Sequence, residues 1–359
     1  MKTSLAALGW AAALLGLVTC AAPGAPPVAS AESATVAVQP STNAAAVLAP
    51  QIREKSCGAE TVTPSRFSDI ALAVRALSDA QAGAISKRLP EGARFAGGWD
   101  LASEDPNFGG LSGLAFAQGN LLAVSDAGAW IGLSVIEGAP TTATIGYMTG
   151  ADGRLLSGKA ENDAEGLVWY DGVAFVSFER DFRIEAFDLA GCGAAARAVH
   201  AATLPAEYDG KPVDTNSGPE ALALTPDGAL LFGYESASDS VSPIGEVQAD
   251  GTSRWTGRHS ANPKGFALVG MDIVRLPSGE DREISLYRAF DPLRGARSVL
   301  VWGPGKSQRL TLSRPMLTDN FEGLAAEVLK SGELRLWIVS DNNFNAVQRT
   351  LLYAFDVTP

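Results

Sequence analysis

The sequence predicts an all-β protein, a β-propeller built from five four-stranded blades. Its 359 residues include 38 glycines and 20 prolines, which favours short strands joined by many turns over a helical protein. One strand-like pattern recurs as GLSGLAF (110–116), DAEGLVW (163–169), GPEALAL (218–224), GMDIVRL (270–276) and NFEGLAA (320–326). The spacing of about 52 residues is the length of one propeller blade.

The second repeat shows the predicted blade most clearly. Four short strands are expected at 165–170, 173–179, 183–189 and 196–204. The first two carry apolar residues on both faces, as strands covered on both sides do. A β-sandwich or a β-solenoid would not give four strands in each repeat of this length.

The last repeat supplies three strands before the chain ends, and residues 93–102 are predicted to supply the fourth. Closure of this kind removes a free sheet edge. The propeller would then span 93–359, with 51–92 as an accessory segment and the only source of a sixth blade. Within that segment, 70–77 reads as a strand or a short helix, and Ser78 is expected to cap a helix.

The N-terminus is predicted to be an export signal. In residues 1–20, Lys2 precedes an apolar run from Leu5 to Val18 that is too short to span a bilayer. Cys20 ends a sequence similar to a lipobox, so lipid anchoring to the membrane and ordinary cleavage both stay open. Residues 21–50, small and rich in proline, are predicted to be a disordered leader. We expect a monomer that is periplasmic or a membrane-anchored lipoprotein.

The two remaining cysteines and the charge limit the other possibilities. In an oxidising compartment, Cys57 and Cys192 could form a disulfide that fixes the N-terminal segment to the second blade, the alternative being two unpaired buried cysteines. The net charge of −12 argues against a nucleic-acid partner, which requires a basic surface.

The inner hairpins are predicted to bring polar residues to one end of the propeller axis. Met271 is taken as the fourth-repeat equivalent of Ser112 and Glu165. Placing the midpoint of each hairpin on its turn predicts the facing pairs Ser112–Asp126, Glu165–Glu179, Glu220–Glu235, Asp272–Arg288 and Glu322–Asp341. So many carboxylates cannot all stay ionised at short range unless cations lie among them.

Oxygen ligands without softer donors favour Ca²⁺ as the bound cation. The expected metal ligands are Asp126, Glu165, Glu220, Asp272, Glu322 and Asn342, and the expected catalytic residues are Glu179, Arg180, Glu235, Arg288 and Asp341. The arginines suit a phosphate group, and a metal-activated water would be the nucleophile. The alternative for the recurring first-strand acids is structural, as acceptors of backbone N–H groups from the next blade.

Several of these segments resemble the bacterial phytase-like family known by its "esterase-like activity of phytase". The resemblance runs from Arg94 to the C-terminus and is carried by FGGLSGLAF, NDAEGLVW with FVSFERDFRI, and DNFEGLAA with LWIVSDNNFNAVQRTLLYAF. It implies an exported propeller hydrolase acting on a small-molecule phosphoester or related ester. The chain lacks the R-H-G-x-R-x-P and C-x₅-R phosphatase signatures, so its chemistry would resemble that of the calcium-dependent propellers.

Two other functions stay open at this point. One is a non-catalytic envelope propeller that binds a ligand or a partner. The other is an esterase using Ser112 or Ser125, which the presence of only two histidines, His200 and His259, supports poorly.

Overall fold

The computed structural model describes residues 43–58, 65–235 and 241–359, and these form a β-propeller. Five sheets of four or five strands are the blades, so the predicted fold and blade number are confirmed. The predicted signal peptide with Cys20, and the leader up to residue 42, lie outside the described residues. Within the described part, no helix is long and apolar enough to cross a membrane.

The segment before the first repeat forms helices and strands that extend the propeller instead of making a sixth blade. Its elements are α1 (Ala44–Ser56), β1 (Ser68–Ile70), β2 (Leu72–Ala76), α2 (Asp79–Ser86) and β3 (Ala93–Ser103). β1 adds an outer strand to blade 1 and β2 adds one to blade 5. Ser78 caps α2 as predicted, because its hydroxyl accepts from the Gln81 N–H while the Gln81 side chain accepts from the Ser78 N–H at 2.9 Å.

Helix α1 corrects the prediction that residues 21–50 are a disordered leader, because the helix begins at Ala44. Apolar side chains recur along α1 with helical spacing, and Leu48 and Ile52 are buried in one cluster with Phe175 of blade 2 and Leu230 of blade 3. The free energy gained by this packing offsets the conformational entropy lost when the segment becomes ordered, although its composition alone predicts disorder. Just beyond α1, Cys57 is disulfide-bonded to Cys192 with Cα atoms 5.7 Å apart, which confirms the proposed link to blade 2.

Each blade is an antiparallel sheet whose repeat strands follow the chain from the axis outward, and β1, β2 and β3 are added at the outer edges of blades 1 and 5. Blade 1 holds β4 (Leu111–Ala117), β5 (Asn120–Ser125), β6 (Ala129–Ile136) and β7 (Ala139–Tyr147). After α3 (Lys159–Asn162), blade 2 holds β8 (Ala164–Tyr170), β9 (Val173–Phe178), β10 (Arg183–Asp188) and β11 (Val199–Thr203), with α4 (Leu189–Cys192) and a 3₁₀ turn (Gly193–Ala195) before the last strand.

The remaining blades follow the same plan. A small hairpin of β12 (Glu207–Tyr208) and β13 (Lys211–Pro212) precedes blade 3, which holds β14 (Ala221–Leu224), β15 (Leu230–Gly233), β16 (Ser242–Val247) and β17 (Ser253–Ser260). Blade 4 holds β18 (Ala267–Arg275), β19 (Asp281–Asp291), β20 (Gly295–Trp302) and β21 (Gln308–Leu312), with a 3₁₀ turn at Pro304–Lys306. Blade 5 begins with β22 (Asn320–Val328), β23 (Leu334–Asp341) and β24 (Thr350–Val357).

The ring closes as predicted, because β3 pairs with β24 and completes blade 5. Trp99 of β3 also stacks on Trp337 of β23, with ring centroids 6.2 Å apart. Chain closure therefore joins the start and the end of the propeller through one sheet.

The innermost strands approach closely because four of them carry glycine at the same position. A Cβ added at Gly166 would lie 2.9 Å from the Leu222 amide, and one at Gly270 would lie 2.9 Å from the Glu322 carbonyl of the next blade. Gly113 and Gly323 make equivalent approaches. The space left at this level is about 10 Å³, roughly enough for one water molecule.

Candidate functional site

The inner hairpins bring polar residues to one end of the axis, but the pairs differ from those predicted. The backbone N–H of Glu179 donates to the Asp163 carbonyl, so Asp163 and not Glu165 lies opposite Glu179. The other observed pairs are Gly110–Asp126, Gly218–Glu235 and Asn320–Asp341. A β-bulge beside the inner-strand glycine causes part of this shift, because it inserts an extra residue into the first strand.

Blade 4 was misaligned in the sequence prediction. Its bulge lies between Leu268 and Gly270, so the equivalent of Glu165 and Glu322 is Val269 and not Met271. Arg288 faces Ala267, and Asp272 faces Ile284 farther along the hairpin. The predicted Asp272–Arg288 pair is therefore wrong.

Asp272 has a structural environment at the other end of the innermost strands. Its carboxylate accepts from the Ala326 N–H of blade 5 at 2.7 Å and from its own neighbour Ile273 at 2.8 Å. Burial raises the pKa of Asp272 to about 6, although these hydrogen bonds oppose the shift. Asp272 thus joins two blades, and it does not share a site with the other predicted metal ligands.

Three carboxylates of blade 2, here called the acidic triad, lie close enough together in the described part of the chain to hold a metal ion. Asp163, Glu165 and Glu179 are all buried, and one oxygen from each lies within 4.8 Å of the others. Arg180 Nε donates to Asp163 at 2.8 Å, and Lys159 Nζ lies 3.4 Å from both Asp163 and Asp126. Sequence reasoning missed Asp163, which alignment of the repeats on their inner glycines, together with the bulge, would have placed opposite Glu179.

A second group, here called the Arg288 cluster, lies across blades 3, 4 and 5. Its members are Glu235, Arg288, Asn320, Glu322 and Asp341. Arg288 donates through one amino group to Glu235 at 2.8 Å and through the other to Glu322. Asn320 donates to Glu322 at 2.9 Å and lies 3.5 Å from Asp341. The guanidinium therefore partly neutralises this side of the axis.

The electrostatic consequence is a set of carboxyl groups with raised pKa values. Burial, followed by the charges of Glu220 and Glu322, raises the pKa of Glu165 well above its usual range. Burial and Asp163 raise the pKa of Glu179 to about 7. Burial and Glu322 raise that of Asp341 to about 8. Two of these acids thus titrate near neutral pH, where a general acid or base is most effective.

The first-strand acids do not have the structural role that was considered for them. Within the described residues, the carboxylates of Glu165 and Glu220 have no hydrogen-bond donor, and Glu322 is bonded to side chains and not to the next blade's backbone. Burial also raises the pKa of Glu220 well above the ordinary value, while Arg288 opposes this. Among the described residues, Glu165 and Glu220 therefore lie at the axis without an ion pair, while Glu322 is paired with Arg288.

The other predicted residues have individual environments. The Asn342 side-chain oxygen accepts from the Gly110 N–H at 3.0 Å and from the Phe344 N–H at 3.1 Å, so it joins blade 5 to blade 1 outside the acidic triad. One oxygen of Asp126 is buried without a hydrogen bond among the described residues. Burial raises the pKa of Asp126, although Lys159 opposes the shift.

The described residues do not assemble a serine–histidine–acid site. Ser112 Oγ is directed at the Gly110 carbonyl, and Ser125 Oγ accepts from the Ala127 N–H. His200 contacts Glu185 and Thr203, and His259 contacts Tyr208. Neither serine therefore has a histidine base.

Comparison with known families gives one match. The sequence profile described as "Phytase-like: Esterase-like activity of phytase" matches residues 106–298, which cover most of blades 1–4 and both the acidic triad and Arg288. A comparison with curated proteins finds no significant match.

Several solved structures resemble the chain at low sequence identity. The aldose sugar dehydrogenase from Streptomyces coelicolor, in its PQQ-bound form, is 13% identical, with 75% of this chain and 100% of that chain covered at a TM-score of 0.40. An endo-arabinase from Bacteroides thetaiotaomicron is 12% identical, with coverages of 71% and 95% and a TM-score of 0.44. The Swd1 β-propeller domain from Myceliophteria thermophila is 10% identical, with coverages of 82% and 100% and a TM-score of 0.35. Similarities this weak carry no conclusion about activity.

Proposed function

The chain belongs to the phytase-like family described by its esterase-like activity of phytase, and from this we propose that it hydrolyses a small-molecule phosphoester with Ca²⁺ bound by the acidic triad. The observation that carries the proposal is Glu165, which is 8% exposed and has no hydrogen-bond donor among the described residues. A buried carboxylate without a partner is costly to hold ionised. A cation bound beside it would remove that cost.

The composition of the triad supports a hard cation. Asp163, Glu165 and Glu179 offer only oxygen atoms, and Ca²⁺ accepts irregular oxygen ligand sets more readily than Mg²⁺ does. When bound, Ca²⁺ would supply charge neutralisation and polarisation of a phosphoryl oxygen. Mg²⁺ therefore serves as the comparison ion in any binding experiment.

Two cations beside the triad are suited to holding an anionic substrate. Arg180 is bonded through Nε to Asp163, while its two terminal amino groups have no hydrogen-bond acceptor among the described residues. They are free to donate to two phosphate oxygens, the fork geometry for which arginine is suited. Lys159 adds a second, exposed positive charge. Arg288, already bonded to Glu235 and Glu322, orients the neighbouring carboxylates instead of binding substrate.

Asp341 is suited to donate a proton to the leaving group. Because burial and Glu322 raise its pKa to about 8, most Asp341 side chains hold a proton at neutral pH. The Asn343 N–H donates to the Asp341 carboxyl at 2.6 Å and fixes its orientation. A protonated carboxyl in this position can protonate the departing alcohol oxygen as a water molecule bonds to phosphorus and the phosphoester bond breaks.

We also propose that the protein is exported. The short apolar run after Lys2 supports this, as does the Cys57–Cys192 disulfide, since disulfides persist in oxidising compartments.

The test is phosphate release from p-nitrophenyl phosphate and from inositol phosphates, with Ca²⁺ and with EDTA. We expect release only with Ca²⁺, and a loss of at least a hundredfold in Glu165→Gln. Glu283→Gln is the matched control, because Glu283 is a largely buried acid of blade 4 paired with Lys306 and Arg258 away from the triad. Release that survives EDTA, or that equals the wild-type rate in Glu165→Gln, would contradict the proposal. Calcium binding without turnover would favour a ligand-binding propeller instead.

A further inference from the structure

A groove leaves the polar end of the axis and crosses blades 4 and 5; it is called here the outer groove. Its inner part is a cavity of about 510 Å³ lined by Glu235, Arg288, Phe290 and Asn320. Its outer part is a cavity of about 650 Å³ that shares Phe290 and Asn320 with the inner part. The Arg288 cluster therefore forms one end of the groove, and a molecule bound at the axis could extend along it.

The outer groove carries exposed apolar side chains. Phe290 of β19 is 73% exposed, and Val347, in the connection between β23 and β24, is 85% exposed. Phe266 and Leu317 complete the apolar wall. Exposed apolar side chains grouped in a concave site mark ligand-binding surfaces. The groove is thus suited to a ligand with an apolar part.

The outer part of the groove also holds an arginine without an acidic partner. Asp319 accepts from the Gln348 side chain and from the Arg349 N–H, and the Arg349 guanidinium is paired with Asp100 at 2.6 Å. Arg314, by contrast, makes no ion pair among the described residues. An unpaired guanidinium on a chain of net charge −12 is an attractive site for an anionic group.

We propose that the outer groove binds the non-reacting half of the ester substrate, and that this half is apolar and carries an anionic group. The proposal rests on the proposed function for the reaction, since it keeps the scissile ester at the polar end of the axis and directs only the non-reacting half past the Arg288 cluster into the groove. It selects amphiphilic aryl or alkyl esters over polyhydroxylated phosphates as the substrate class. Phe290 and Val347 would contact the apolar part, and Arg314 would contact the charge.

Binding can be tested without turnover, using 8-anilino-1-naphthalenesulfonate, an aromatic anion whose fluorescence rises in apolar sites. The full chain should bind the dye, and Phe290→Ser and Arg314→Gln should each weaken binding about fivefold. Leu293→Ser is the control, because Leu293 is 90% exposed in the neighbouring turn but does not line the groove. Unchanged affinity in both groove variants, or an equal loss in Leu293→Ser, would overturn the proposal.

A kinetic comparison separates this inference from the proposed function. Phe290→Ser should raise KM for p-nitrophenyl phosphate about fivefold and leave KM for glycerol phosphate and both kcat values unchanged. No phosphate release from either ester by the wild type, together with normal dye binding, would contradict the proposed function alone. Phosphate release with the same KM values in wild type and variant, together with unchanged dye affinity, would contradict the groove alone.

Discussion

Replacing Arg288 with methionine should destabilise the propeller, and much more at pH 8 than at pH 5. Methionine keeps an apolar stem but removes the guanidinium that pairs with Glu235 and Glu322. Breaking a fully buried ion pair costs about 3–5 kcal/mol, since one charge is left uncompensated, and we expect the lower value here because the Arg288 side chain is 23% exposed. With an unfolding entropy of about 2.1 cal/mol/K per residue and roughly 300 folded residues, Tm should fall by about 5 °C at pH 8.

The pH dependence follows from the direction of the pKa shifts. Burial raises the pKa of Glu220 and of Glu322 above the ordinary value of 4.5, and Arg288 opposes both shifts. A carboxyl whose pKa is raised by folding contributes stability at low pH, and this contribution is lost as the pH rises through the folded pKa. Removing Arg288 raises both pKa values further. In the Arg288→Met variant at pH 5, Glu220 and Glu322 can bind protons at little cost in free energy. At pH 8 they must either stay buried as anions or bind protons from a solution that holds few, and both destabilise the fold.

The assay is thermal unfolding followed by circular dichroism in EDTA at the two pH values. Arg275→Met is the control, because Arg275 pairs with Asp227 and Asp281 at an exposed position where ion pairs contribute little. Two results would refute the reasoning. One is an equal Tm loss for Arg288→Met at both pH values, and the other is a loss at pH 8 no larger than that of the control.

Three further predictions follow from the same structure. Ca²⁺ at one hundred times its Kd should raise the wild-type Tm by about 4 °C, since this saturation stabilises by about 2.7 kcal/mol, and Glu165→Gln should show no shift in differential scanning fluorimetry; an equal shift in the variant would exclude the triad. Phosphate release should decline as the pH rises through about 8, because Asp341 loses its proton there, and the pH–rate profile of Asp341→Asn should lack this limb; a limb that persists would remove Asp341 as the acid. Gly270→Ala should lower the free energy of unfolding in denaturant by about 1–3 kcal/mol, because the new Cβ would lie 2.9 Å from the Glu322 carbonyl. Gly83→Ala in α2 is the control and should raise it by about 0.5–1 kcal/mol, because nothing lies within 4 Å of the new Cβ. Equal effects would contradict the close approach of the innermost strands.

The fold was predictable because it depends on regularities that the sequence displays directly. The repeat period gave the blades, and the incomplete last repeat indicated that residues 93–102 complete blade 5, as β3 does. Helix α1 was missed because its composition resembles a disordered linker. Its stability depends on blades 2 and 3, which lie far away in the chain.

The sequence predicts where the candidate site lies, at one end of the propeller axis, but not all of the residues that form it. The sequence pattern identifies both Glu165 and Glu179 as candidates. It does not reveal a β-bulge, because the inserted residue leaves the run of apolar residues unchanged. Asp163 is therefore missed and Asp272 is wrongly grouped with the other acids. The contact of Arg288 with Glu322 joins two blades, and hairpin geometry within one blade cannot reveal it. Ion pairs between blades form only because the closed ring brings neighbouring blades together, so they cannot be predicted from one repeat.

Anomalous diffraction from crystals of the full chain grown with Ca²⁺ tests most directly whether the acidic triad binds the cation. We expect an anomalous peak among Asp163, Glu165 and Glu179, with carboxylate oxygens about 2.3–2.6 Å away. We also expect the peak to disappear in Glu165→Gln crystals grown in the same way. A calcium peak elsewhere on the axis, or no peak at saturating Ca²⁺, would contradict the claim that the acidic triad is the cation site.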